Sequence, residues 1–498
     1  MNSVRRALGF SVLERLALIA LNLLSYVLLA RLLTPEEIGL YSVAAALVGV
    51  LQVLREFGIG NYLIQADDLK QERLDSALGL SLALALAAFA LTWLASPQAA
   101  RFYGADGITT VLRVVALNFL LLPFCSIGQS LLRRQMTFGH LMHINLAGGV
   151  LGVVVTMALA YGGTGPSSLA WGSVATNLVV AAGCWISLGK HHRPQRASLR
   201  GWGSMMNFGR QTVTAGVLTT VAVDINDLVI GRVLGLAPVA LLSRAMGLMN
   251  LWQRDLMVAV RNVAQPAFAQ ARRDGQALEP LYIRGFAAVL VMSLPYYGLV
   301  GLFPLESLRL LAGPQWDAAV PLVRVFAVAG ALLSFSTLIP TLLLACGRID
   351  LASQLDIRFA LLRMFAVVGS ALVFKSLMAV ALALAVVFAI SPVLFLHYKR
   401  ACVPADRAAM LSATWRSAVV AVLAMLLPLA VTLAHGMGRN EPLDFWRFAL
   451  VALSVPPVWL AGLRWCRHPL AQEPVLVRMY SALLRALGHL LAWPRGRR

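Results

Sequence analysis

The sequence predicts an all-α polytopic membrane protein of about fourteen transmembrane helices, arranged as two parallel six-helix lobes plus two extra C-terminal helices, both termini cytoplasmic. Three observations predict it. Apolar segments about twenty residues long recur from end to end, basic residues crowd every second gap, and the second half of the chain echoes the first. Of 498 residues, 59% are hydrophobic and only 13% charged, too apolar for a soluble domain of that length. The crowded gaps hold Arg5–Arg6, Arg55–Lys70–Arg73, Arg133–Arg134, Lys190–Arg200, Arg254–Arg284, Arg348–Arg358, Lys399–Arg416 and the tail from Arg464. Their Lys/Arg excess marks them as cytoplasmic, which makes the number of spans even.

The first lobe, residues 1–189, holds spans at 12–32, 38–56, 74–95, 109–131, 143–162 and 168–189. A basic cytoplasmic linker at 190–206 follows. The second lobe, 207–398, holds spans at 207–230, 236–256, 283–303, 320–345, 357–375 and 377–398. Two last spans, 417–435 and 446–463, fall in 399–463, and 464–498 form a basic tail. From Leu470 to Trp493 that tail places Leu476, Tyr480, Leu483, Leu487, Leu490 and Leu491 along one side, which predicts an amphipathic helix on the cytoplasmic surface of the membrane.

The repeat is visible where Ala30–Ala44 is set against Gly231–Ala245 without a gap: Arg31 meets Arg232, Leu33 meets Leu234 and Ser42 meets Ser243. A second match sets Leu112–Leu117 against Val323–Val328 and aligns Arg113 with Arg324. The unit is six spans, an even number, so both halves keep one orientation. Parallel repeats of this kind are a transporter architecture with the site between halves.

Several function classes are disfavoured. The net charge of +20 is distributed over loops flanking spans, which suits an anionic leaflet better than nucleic acid. Five scattered cysteines and eight histidines show no zinc or redox spacing, so no metal is expected. Gly148–Gly149 and Gly162–Gly163 follow no strand and are not phosphate loops. No nucleophile–base signature is present, and no outer gap is long enough to house an enzymatic domain. A membrane-embedded enzyme is therefore the weakest reading.

Leu28–Tyr41 (LLARLLTPEEIGLY) followed by Leu54–Gln65 (LREFGIGNYLIQ) resembles the polysaccharide-transport branch of the multidrug/oligosaccharidyl-lipid/polysaccharide exporter superfamily. Asp224–Gly235 and Leu311–Trp316 are similar to that family's patterns at the end of the seventh span and before the tenth. In the second half Ala240, Leu241 and Leu242 stand where the first has Gly39-x-Tyr41. The resemblance implies two six-helix lobes with two further helices. It also implies a flippase that moves a polyprenyl-pyrophosphate-linked oligosaccharide, a repeat unit of lipopolysaccharide, capsule or exopolysaccharide, across the bacterial inner membrane by alternating access. An ion-coupled drug or small-molecule exporter of the same superfamily is the alternative, and a membrane polysaccharide polymerase or ligase is the least favoured.

Charges inside spans cost about 2.5–3.5 kcal/mol each on insertion scales and default to functional hypotheses. Arg15, Asn22 and Tyr26 fall at i, i+7 and i+11; they line a cavity, or Arg15 snorkels while Asn22 bonds a neighbouring helix. Arg210, Arg244 and Asn250 are further cationic or polar cavity candidates, Arg244 foremost because it lies two turns inside its span. Arg31, Arg113, Arg232 and Arg324 stand at outer ends of spans, as an outer gate or as interfacial anchors; Glu36 and Glu37 are placed to neutralise Arg31. Thr220, Asp224 and Asp227 share a face. They couple transport to an ion, or they form an ion pair with Arg232 or Arg31. Glu14 is a lesser coupling candidate. No cofactor is expected beyond a proton or sodium gradient. The expected partners are the polyprenyl-linked oligosaccharide, membrane lipids and polymerase or ligase machinery, without nucleic acid.

Overall fold

Thr34 starts the first helix that can be followed from end to end. The run Thr-Pro-Glu-Glu reads as a capping box. In the computed structural model the Glu37 N–H donates to Thr34 Oγ1 (3.3 Å), the Thr34 N–H donates to Glu37 Oε2 (2.8 Å), and Pro35 takes the first helical position. The structure describes residues 17–18, 20–21, 24–66, 70–189, 193–198, 202–203, 205–206, 220–221, 224–404, 406–436 and 442–472. The tail helix expected over 470–493 therefore lies almost wholly outside the described residues.

Within them the chain is helical and no strand occurs. After α1 (residues 24–32) come α2 (Pro35–Glu56), α3 (Ile59–Gln65), α4 (Gln71–Tyr103), α5 (Gly107–Arg134), α6 (Phe138–Tyr161) and α7 (Ser167–Ser187). Then follow α8 (residues 224–233), α9 (Leu236–Asn250), α10 (Met257–Arg273), α11 (Leu278–Leu302), α12 (Pro304–Leu311) and α13 (Val320–Leu333). The series closes with α14 (Ile339–Ala345), α15 (Ile349–Phe374), α16 (Leu377–Lys399), α17 (Arg407–His435) and α18 (Phe445–Trp465). Eleven helical segments among the described residues are long and apolar enough to cross a membrane. The protein is a multi-pass, all-α membrane protein. Pro97, Pro295 and Pro392 inside α4, α11 and α16 free the carbonyls of Trp93, Val291 and Phe388, which accept instead from Ser96 Oγ (2.8 Å), Trp459 Nε1 (2.7 Å) and Ser391 Oγ (2.7 Å).

Two spans differ from the sequence reading, each for a local reason. The segment expected at 236–256 runs on to Arg273 through a widened π turn, Leu251–Leu256. The hydroxyls of Tyr296 and Tyr297 donate to the carbonyls of Leu248 (2.6 Å) and Met249 (3.0 Å) at its entrance. The segment expected at 320–345 breaks between α13 and α14. There the hydroxyls of Ser334 and Ser336 donate to the carbonyls of Gly330 and Leu333, and Pro340 follows without an N–H to continue the ladder.

The contacts divide the chain into two compact units. The first runs to Leu241 and also takes in Leu311–Gln315 and Ala371–Ser376. Inside it α6 and α7 pack at backbone distance, with Gly152 and Gly172 facing each other. Asn118 of α5 donates to Ser173 Oγ (2.9 Å) and accepts from Asn177 Nδ2 (2.7 Å), a polar seam between α5 and α7. The second unit begins at Leu242, and in it α17 packs on α11 and α18, and α13 on α16. Lys399, wholly buried, donates from Nζ to Glu279 Oε2 (2.6 Å) and to the Pro404 carbonyl (3.2 Å).

His468, just beyond α18, is buried against Ser417 Oγ (3.2 Å), and its Nδ1 accepts from the Leu470 N–H (3.3 Å). The ring proton is thereby assigned to Nε2. Burial first, and the charge of Arg416 second, push its pKa down from 6.5 to about 4. The unfolded chain therefore binds a proton between those values that the folded chain refuses, and stability falls as pH drops through that window. Thermal denaturation in detergent should show a melting temperature that declines from pH 6.5 toward 4. The slope should be shallower for His468→Gln; equal slopes would remove His468 as the cause.

Candidate functional site

The α2 helix presents its small and polar residues along one stripe. Tyr41, Ala45, Gly49, Gln52 and Glu56 recur at helical spacing, and with Thr220, Asp224 and Asp227 they line a cavity of about 470 Å³. All of these residues belong to the first unit. From Tyr41 to Glu56 the stripe extends roughly 22 Å at 1.5 Å per residue, most of the depth of a hydrocarbon core. Small residues make the space. A Cβ on Gly49 would meet the Asp224 carboxylate, so the absent side chain at position 49 leaves that carboxylate its place against α2.

The shared face predicted for Thr220, Asp224 and Asp227 thus opens onto this cavity, and Glu56 adds a third carboxylate that the sequence reading did not single out. Among the described residues neither Asp224 nor Asp227 enters an ion pair. Arg232 instead lies 4.9 Å over the ring of Phe102. Arg113 takes the same kind of seat, 5.1 Å over Trp93 of α4. Cation–π contacts of this sort are worth about 0.5–1 kcal/mol at exposed sites. Arg324, its partner in the repeat, stands exposed on α13, so the two arginines have unlike surroundings. Arg31 is exposed and Tyr26 half-buried, and Glu37 is engaged in the capping box of α2. Glu36 is exposed on the first turn of the same helix.

Arg244, the foremost cationic candidate, is buried in the second unit with its guanidinium 4.8 Å over the Trp316 ring. Asn250 sits half-buried at the entrance to the π turn. Glu14, Arg15, Asn22 and Arg210 lie outside the described residues.

Two functional-looking groups escaped the sequence reading. Gln253, in the π turn, is buried; its Nε2 donates to the Gly330 carbonyl (2.9 Å) and to Ser334 Oγ (3.1 Å), while its Oε1 accepts from Thr337 Oγ1 (3.0 Å). Its signal is weak, because an uncharged amide does not stand out against hydropathy. Arg363 is different: an arginine inside the predicted span 357–375 was visible. Its guanidinium lies 5.9 Å from the Phe359 ring one turn earlier, and among the described residues its buried Nε meets no acceptor.

The described residues include no cluster of His, Cys, Asp and Glu able to hold a metal ion. What this arrangement can do chemically is bind: a cavity with three carboxylates, a tyrosine and the amide or hydroxyl groups of Ser42, Gln52 and Thr220 offers sites for cations and hydroxylated groups.

Known proteins resemble the chain in sequence and in fold. The teichuronic acid biosynthesis protein TuaB of Bacillus subtilis (strain 168) is 25% identical over 342 residues, 67% of this chain and 69% of that protein. The succinoglycan biosynthesis transport protein ExoT of Rhizobium meliloti (strain 1021) is 27% identical over 344 residues, 68% and 69% of the two chains. Among solved structures the lipid II flippase MurJ, in an inward closed conformation, superposes with a TM-score of 0.72 over 92% of this chain and 99% of that one, at 14% identity. The family described as polysaccharide biosynthesis protein matches residues 28–321, more than half of the sequence, and the chain belongs to that family.

Proposed function

We propose that the protein is a flippase that carries a polyprenyl-pyrophosphate-linked oligosaccharide from the inner to the outer leaflet of a bacterial cytoplasmic membrane. The observation that carries the reading is a cavity with three carboxylates in its lining, running along α2 between Tyr41 and Glu56, in a membrane-spanning chain of the polysaccharide biosynthesis family. The fold shared with a lipid II flippase and the transport named for ExoT support it. A sugar–pyrophosphate head cannot cross hydrocarbon unaided; a water-filled cavity removes that barrier while the polyprenyl tail stays in lipid. The protein then works as a transporter and not as an enzyme, moving its substrate by alternating access with its termini on the inner side.

The three carboxylates do not suit a pyrophosphate directly. Their role in this reading is coupling: Asp224 and Asp227, three residues apart, take up a proton or sodium ion whose gradient drives the cycle. The same acidic lining favours a second reading, export of an organic cation.

The deciding measurement is the sidedness of the polyprenyl-linked oligosaccharide in intact spheroplasts, using an impermeant lectin, with and without the protein. Loss of the protein should leave the intermediate shielded. Asp227→Asn should slow its appearance outside by roughly tenfold or more, the size of a lost coupling interaction. Outer-leaflet appearance that ignores the protein, together with efflux of a cationic dye that needs it, would replace the flippase by the exporter.

A further inference from the structure

The basic linker expected at 190–206 is fastened down. Its residues 193–198 form a strap across the first turns of α4, where Gln71, Asp75 and Gly79 recur at i, i+4 and i+8 on one side. Asp75 Oδ1 accepts from the backbone N–H groups of Gln195 (2.8 Å) and Arg196 (3.2 Å) and from Gln71 Nε2 (3.0 Å). The same Gln71 amide donates to the Arg193 carbonyl (3.1 Å), and the Ser198 N–H donates to the Asp75 carbonyl (3.0 Å). A Cβ on Gly79 would run into the Ser198 backbone, so the strap meets α4 at backbone distance. Farther along, Met205 is buried in an apolar cluster with Ile59 and Leu63 of α3, Leu131 of α5 and Cys184 of α7.

A loop that only carried topology charges would need none of this, because its arginines serve wherever they lie on the inner side. A carboxylate that takes two successive backbone N–H groups fixes the direction of the chain as well as its place. What the chain leads to next is the helix carrying Thr220, Asp224 and Asp227. The six-span repeat sets that helix at the head of the second half. The contacts instead place it in the first unit, which runs on to Leu241 and includes α2 on the other side of the cavity. The strap and Met205 are therefore the last fixed points on the first unit before the cavity carboxylates that are described.

We propose that Asp75 is a positioning residue: by clasping the strap it seats the helix carrying Asp224 and Asp227 against α2, and keeps that helix with the first unit while the transport cycle runs. This rests on the flippase reading and on the coupling role given there to the two carboxylates. Asp75 lies outside the cavity lining, so it acts through the strap and not on the substrate. Groups that bind an ion work only when neighbouring residues hold them within about 0.5 Å of the productive geometry. The clasp supplies that support from the end of the helix, where it takes no space from the cavity.

The seat of the helix can be read without transport. In protein whose five native cysteines are replaced, Gly49→Cys with Asp224→Cys should form a disulfide under mild oxidation, because a Cβ at position 49 falls beside the Asp224 side chain. Adding Asp75→Ala should slow that disulfide severalfold. In the spheroplast assay Asp75→Ala alone should slow translocation by roughly tenfold or more, while the purified protein stays monodisperse. Asp75→Cys with Arg196→Cys should be equally slow when reduced. A short, membrane-permeant bifunctional methanethiosulfonate that ties the pair should restore translocation, since a tether replaces the clasp without replacing the carboxylate. A disulfide that forms as fast without Asp75, an Asp75→Ala that translocates like wild type, or a tied pair as slow as the reduced one overturns the proposal. A wild-type protein that translocates nothing overturns the flippase reading instead, and the disulfide still decides whether Asp75 seats the helix.

Discussion

Glu279→Ala should unfold the second unit more readily than any other single polar substitution among the described residues. Lys399 is wholly buried, and its ammonium is held by Glu279 Oε2 at 2.6 Å with the Tyr282 ring 4.6 Å away. Removing the carboxylate strands that charge, for which about 3–5 kcal/mol is the usual cost. The loss spreads, because Glu279 Oε1 also accepts from the Asp406 N–H (3.1 Å), and Asp406 caps the start of α17 through the Ala409 N–H (2.9 Å). Lower yield and a depressed melting temperature in detergent are the expected readouts. Glu279→Met combined with Lys399→Met should recover most of the loss, since two apolar side chains need no partner. A single Glu279→Ala as stable as wild type would mean that water reaches Lys399.

Gly39→Val is the second large effect. A Cβ at Gly39 would lie inside the van der Waals envelope of the Leu236 carbonyl oxygen, so the backbones of α2 and α9 touch there. Backbone cannot swing aside as a side chain does. Overpacking typically costs about 1–3 kcal/mol, more when the obstacle is rigid, and valine adds two methyl groups beyond the Cβ. The expected result is misassembly, read as aggregation during size-exclusion chromatography. Gly369 on α15 is the control: nothing lies within 4 Å of its added Cβ, so Gly369→Ala should be neutral or gain about 0.5–1 kcal/mol. If both substitutions behave alike, the close approach at Gly39 is absent in the membrane.

Hydropathy and charge made the architecture legible because the bilayer demands long apolar helices and sorts arginine by side. The capping box at Thr34 was equally readable, since its chemistry is local. Gly39 belongs to the stretch by which the family was recognised, but only the structure gives the reason for a glycine there, a carbonyl nearly two hundred positions away in sequence. Asp224 and Asp227 were found because two carboxylates in a span are conspicuous, whereas Glu56 was missed because a terminal charge beside Arg55 looks like an interfacial pair. Arg55 itself was read as one more topology charge. Nothing in one sequence shows that such an arginine turns inward, because burial is a property of the helices around it. The π turn escaped for the same reason: its carbonyls are met by Tyr296 and Tyr297, about fifty residues downstream.

The contact between α6 and α7 has a bearing on how the chain is made. Gly152 and Gly172 face each other so closely that a Cβ on either would strike Thr176 or Thr156 of the opposite helix. Those threonines return their hydroxyls to their own helices, Thr156 to the Gly152 carbonyl (2.8 Å) and Thr176 to that of Gly172 (3.0 Å). Every group needed for this pairing lies within one helical hairpin joined by a short turn. The hairpin can therefore close as soon as its second arm leaves the ribosome, before any of the later helices exist. Small residues let it do so inside lipid, where no hydrophobic force would draw the arms together. Such a pair can enter the bilayer already joined, ready for the rest of the first unit to assemble against it.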